Sequence, residues 1–153
     1  MKKPGVEGVK AVTNRFEGLK TTLHAKVGDV LQRNAEMVRS QVVSDINTQK
    51  PNPDYEVPKG ATGRARHIPS PAGGPPNADT GRLSASYTTE LTRDGTKLSA
   101  AIVAGTIYAK WLEFGTSRME PRPHLLPRFR QRITIFKKQL RDVLKGSIGG
   151  KTR

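Results

Sequence analysis

A chain of 153 residues with 27 Lys and Arg against 13 Asp and Glu carries a formal charge of +14 and has no Cys. The missing cysteines exclude a disulfide framework, a thiolate zinc site and a thiol nucleophile, and a reducing compartment fits. Only 34% of residues are apolar and mean hydropathy is −0.59, so one domain is expected, with a modest core and part of its length outside that core.

No apolar run approaches the roughly 20 residues of a membrane helix, so no membrane partner is expected. The opening MKKPGVEGVK is basic but lacks an apolar h-region, which is not the pattern of a signal peptide.

From Arg15 to Ile46, apolar residues recur at steps of three and four: Phe16, Leu19, Leu23, Val27, Val30 or Leu31, Ala35, Val38, Val42 and Ile46. That spacing predicts one long helix of about 30 residues, with 9–47 as its outer bounds. Gly18 and Gly28 each weaken it by roughly 1 kcal/mol relative to Ala. A helix this long either spans the domain or projects to a partner.

Residues 48–79 form a composition break with seven Pro and four Gly. Proline at this density excludes a helix or a central strand, and the stretch reads as an extended arm. It either docks on an adjacent subunit or is a passive insertion. Deleting Pro51 to Pro76 is expected to spare the fold.

Residues 80–128 read as a hairpin core. Asp79 or Thr80 is expected to cap a short turn holding Leu83 and Ser86. Tyr87 to Leu91 and Lys97 to Ala104 read as paired strands about an Asp94-Gly95 turn, with Leu98, Ala100, Ile102 and Ala104 on one face. Ile107 to Phe114 reads as a short helix whose Tyr108, Trp111 and Leu112 share a face, stopped by Gly115. Pro121, Pro123 and Pro127 keep the next stretch extended. A basic helix then covers 129–146, with a tail at 147–153. The fold class is α+β: a long N-terminal helix, a small antiparallel sheet with a β-hairpin, a short aromatic helix and a C-terminal helix, plus the Pro/Gly-rich arm.

Charge is uneven. Arg118 to Arg153 holds 11 Lys/Arg against 2 Asp/Glu, which is +9 of the total +14. Arg130, Lys137, Lys138 and Arg141 are candidates for facing DNA or an acidic partner; the plainer reading is a solvated helix face.

Catalytic chemistry finds little support. His24, His67 and His124 are scattered, with none spaced to share a metal. No metal, cofactor or catalytic residue is expected. Gly60 to Arg66 is glycine-rich and basic, yet prolines surround it and no strand precedes it, so it makes a weak phosphate loop. Glu113, inside the apolar WLEFG run, reads either as an acid or ligand or as an ion pair pinning the short helix to an Arg. The second is favoured. Trp111 and Phe114 read as core or subunit-interface anchors rather than base-stacking platforms.

Two stretches carry a family resemblance: DTGRLSAS, Asp79 to Ser86, and YAKWLEFGTSRMEPRPHLLP, Tyr108 to Pro127. With a hairpin between them, they resemble the tailed-phage family of head–tail neck, tail-completion or tail-component proteins. That family shows D-T-G-x-L-x-x-S, then Y-A-x-x-x-E-F-G-T, then R-P-F-L-x-P and a last helix. His124 stands where the family usually has Phe, which would loosen that anchor.

The resemblance implies a non-enzymatic virion protein, assembled in the host cytoplasm as a homo-oligomeric ring of cyclic symmetry. Its neighbours would be head-closure and tail-terminator or tail-tube proteins, with packaged DNA a candidate in the lumen. Tyr108, Trp111, Glu113, Phe114, Arg118, Arg122 and Pro123 would shape the domain and its subunit contacts. The alternative is a basic module that binds nucleic acid without sequence preference through the C-terminal helix.

Overall fold

The computed structural model describes residues 4–56 and 67–148. Helix α1 spans Pro4–Thr48, 45 residues. It starts earlier than its apolar pattern suggests, because proline is tolerated in a first helical turn, where a backbone N–H has no partner anyway. Thr13, Thr21 and Thr22 turn their hydroxyls onto carbonyls four residues back, each at 2.9 Å. The helix ends just before Pro51, which disfavours helical geometry in the residue preceding it.

Helix α2, Arg82–Ala85, is a single turn. Neither Asp79 nor Thr80 caps it. Gly81 occupies the cap position at φ 73°, where glycine is at ease, and the Ser84 hydroxyl donates to its carbonyl at 3.0 Å. Asp79 instead faces His67 at 3.7 Å.

Strands β1, Tyr87–Asp94, and β2, Lys97–Ala104, form a two-stranded antiparallel sheet paired from Tyr87↔Ala104 to Asp94↔Lys97. The loop residues are therefore Gly95 and Thr96, one position later than an Asp-Gly turn. Gly95 has φ 53° and no non-glycine residue has positive φ among the described residues. Glycine at the first loop position alone is the type II′ pattern. Leu98, Ala100, Ile102 and Ala104 do share the inward face.

Helix α3 is Tyr108–Phe114 and helix α4 is Leu125–Ile148. The core gathers the second half of α1 with the hairpin side: Val38, Val42, Ile46, Leu83, Tyr87 and Ala109 are buried, and Tyr108, Leu112, Ile102 and Leu125 pack around them. Helix α4 runs antiparallel to α1. Arg128 Nε and Nη2 grip the Asp45 carboxylate at 2.5 and 2.7 Å, and Asn34 Nδ2 donates to Gln139 Oε1 at 2.8 Å.

The described parts of the 48–79 arm pack on their own chain. Asn52 N donates to Pro69 O at 2.9 Å, Gly73 N to Pro121 O at 3.0 Å, and Ala78 N to Ile46 O at 3.0 Å. Ser70 and Pro76 are buried. Deleting Pro51 to Pro76 would remove the first two of these contacts and leave the Ala78 N to Ile46 O bond. The glycine-rich stretch Gly60 to Arg66 lies outside the described residues.

Candidate functional site

The first signature stretch, through Thr80 to Ser84, lines one cavity with Tyr108, Leu112, Met119 and Arg122 of the second. Glu113, on the inner face of α3, is 7% exposed. Its Oε2 accepts the N–H groups of His124 and Leu125, both at 3.0 Å, and its Oε1 accepts that of Leu126 at 2.9 Å. The first N–H groups of a helix have no partner within it, and the positive end of the helix dipole favours an anion there. Glu113 therefore caps α4 from another element. Among the described residues of its own chain, this carboxylate bonds backbone N–H groups and not an Arg.

His124 is 2% exposed. Its Nδ1 lies 2.9 Å from Arg122 O and 3.1 Å from Glu113 Oε2. Two acceptors there place the ring proton on Nδ1, which leaves Nε2 to accept from the Tyr87 hydroxyl at 2.6 Å. Burial, and then the negative charge of Glu113, push the Tyr87 pKa well above its usual value, so the phenol stays a donor. His124 thus replaces a packing anchor with a hydrogen-bonded one. His124, expected to loosen this anchor, is buried and hydrogen-bonded through both ring nitrogens.

The loop between α3 and α4 is equally constrained. Gly115 has φ 75°, and a Cβ there would sit 2.8 Å from Met119 O and 3.0 Å from Pro121 N. Arg122 N donates to Leu112 O at 2.6 Å and Arg122 Nε to Ser70 O at 3.1 Å. Arg122 therefore ties the loop to the arm within one chain.

The remaining expected interface residues divide into two groups. Tyr108 and Leu112 pack on the core, whereas Trp111, expected to share their face, points outward. Ile107, Trp111 and Phe114 are 79%, 47% and 68% exposed and line the outer face of α3. Trp111 and Phe114 are therefore not core residues. Arg118 is exposed at the tip of the loop and Pro123 is half-buried beside His124.

On α4, Arg128 and Arg132 work internally: Arg132 Nε donates to Asn34 Oδ1 at 2.8 Å. Arg130, Lys137, Lys138 and Arg141 are all exposed. Their spacings of seven, eight and eleven from Arg130 put them on one side of the helix. Among the described residues, no group of three His, Asp or Glu could hold a metal. No described helix is long and apolar enough to cross a membrane.

Residues 10–115 match the family model described as "Bacteriophage HK97-gp10, putative tail-component". The chain belongs to this phage tail-component family. The match takes in most of α1, the arm, the hairpin and α3, and stops at Gly115, so the Arg122 to Pro127 segment and α4 lie beyond it. No curated protein and no solved structure matches the chain. Membership makes this a structural component of a phage tail and a virion protein.

Tyr87, the Arg128–Asp45 pair and the outward Ile107 escaped the reading of the sequence. One signal was available: the run from Pro121 to Leu126 offers no Ser, Thr, Asp or Asn to start α4. A buried helix start without a local cap calls for an acceptor from elsewhere in the chain or from water.

Proposed function

We propose that this tail-component chain forms a cyclic ring at the head–tail junction, joining the head-closure ring to the tail terminator and tail tube. The observation that supports it best is the outer face of α3. Ile107, Trp111 and Phe114 stand exposed directly above a joint in which Glu113, His124 and Tyr87 leave little freedom. An aromatic face on a rigid mount suits a permanent protein contact. In this reading Trp111, Phe114 and Arg118 meet the neighbouring protein. Tyr108, Glu113, Arg122 and Pro123 keep that face in position.

Electron microscopy of lysates with this gene silenced tests the proposal. DNA-filled heads beside free tails are expected. Normal infectious particles would remove the protein from the junction.

The exposed basic side of α4 favours a second contact, with DNA in the lumen or with an acidic neighbouring protein. Replacing Arg130, Lys137, Lys138 and Arg141 by Gln separates the two. DNA retention that falls steeply with salt and is lost in the variant identifies DNA. Unchanged retention with failed assembly identifies protein.

A further inference from the structure

The first third of α1 has no intrachain partner among the described residues. Val9, Val12, Phe16 and Leu19 are 66%, 55%, 67% and 50% exposed. Steps of three, four and three place them on the same side of the helix as the buried Val30 and Val38. Their exposure follows from the length of α4. The Arg128–Asp45 and Gln139–Asn34 contacts fix an antiparallel alignment that brings Ile148, the last described residue of α4, level with about residue 25 of α1. The part of α1 before that point projects past the body.

The body holds a complementary feature. A half-open apolar groove of about 400 Å³ runs between α1, β2 and α4, with Leu31, Val38, Ile102, Phe129, Ile133 and Phe136 among its walls. It is large enough for bulky side chains inserted from outside. The tip of the same copy cannot fill it, since Phe16 and Leu31 are separated by roughly 22 Å of straight helix.

The geometry points to a second copy of this chain as the occupant: the projecting α1 tip of one copy lies in the α1–β2–α4 groove of the next. Anchors at i, i+3, i+7 and i+10 are how an amphipathic helix enters an apolar groove. A donor and an acceptor at different places on one chain make a head-to-tail contact, which repeats until it closes as a ring or continues as a filament. This deepens the ring reading above by naming the surfaces. Lys10, Arg15 and Lys20 on the tip and Arg132 at the groove carry the same sign. Apolar burial therefore drives the contact, and raising the salt concentration strengthens it by screening.

The absence of Cys makes a clean test available. Copies carrying Phe16→Cys are mixed with copies carrying Phe129→Cys, both as purified chains and in cells producing the whole particle, and oxidised. The mixture is expected to yield a cross-linked pair, and the double variant a ladder of covalent oligomers. Pairs between two Phe16→Cys copies only, a link to another protein only, or no link at all would overturn the inference. Phe16→Glu, at an exposed position, should leave helix content unchanged and weaken self-association at least about thirty-fold; unchanged association also overturns it. If cross-linking fails while silencing still gives heads beside free tails, the docking falls and the junction proposal stands.

Discussion

The two ends of α1 carry the same apolar period and have opposite surroundings. From Val30 to Ile46 the stripe is covered by the hairpin, α2, α3 and α4, and Val42 and Ile46 are 0% exposed. From Val9 to Leu19 the stripe is bare. Periodicity therefore reports which side of a helix is apolar and is silent about what covers it. In a tail component, both kinds of cover, the chain's own body and a neighbour, produce the same sequence pattern.

Stability measurements can break this comparison at its packed end. Ile46→Ala should lower unfolding free energy by about 2–5 kcal/mol, the usual cost of emptying a filled core site. Glu113→Ala should cost about 3 kcal/mol, since three N–H groups lose their acceptor together. Urea denaturation reads both, and a loss under 1 kcal/mol for the second would show that water replaces the cap. Gly115→Ala should cost about 1–3 kcal/mol from backbone strain and the clash with Met119 O.

Alkaline titration sharpens the packed end further. The folded state holds the Tyr87 pKa above its unfolded value, so stability is intact below pH about 10 and falls as pH rises beyond it. Tyr87→Phe should flatten that fall relative to the parent chain. Equal slopes would mean that other groups dominate.

The smallest effects belong to the bare end. Leu19→Ala should shift the stability of the isolated chain by less than about 0.5 kcal/mol. Gly18→Ala should raise it by roughly 0.5–1 kcal/mol, because a Cβ there meets nothing within 4 Å. A large loss for Leu19→Ala would show that the tip is covered after all.

Much of the fold was legible because its signals are local. The long helix, the two-residue period of Lys97 to Ala104 and the Gly115 stop all lie within a few residues of what they specify. The turn was misplaced by one residue because Asp-Gly and Gly-Thr both supply a glycine, and only the Asp94↔Lys97 pairing decides between them. Trp111 does not share the face of Tyr108 and Leu112, because seven residues make barely two turns, too few to fix a helical phase.

The Glu113 joint was illegible for a different reason. Its partners are backbone N–H groups, which every residue except proline carries and which leave no mark in a sequence. Charge alone suggests an Arg as its partner. Arg122, one of those nearby, bonds a carbonyl of the arm instead.

Borrowing its cap from Glu113 gives α4 a conditional beginning. A newly made chain cannot secure the first turn of α4 until α3 has formed and the Gly115 loop has closed. The start of the last helix is thereby tied to α3. A fragment that starts after Glu113 would keep the α4 sequence and lose its starting point, so truncation or proteolysis inside the loop should fray α4 from that end.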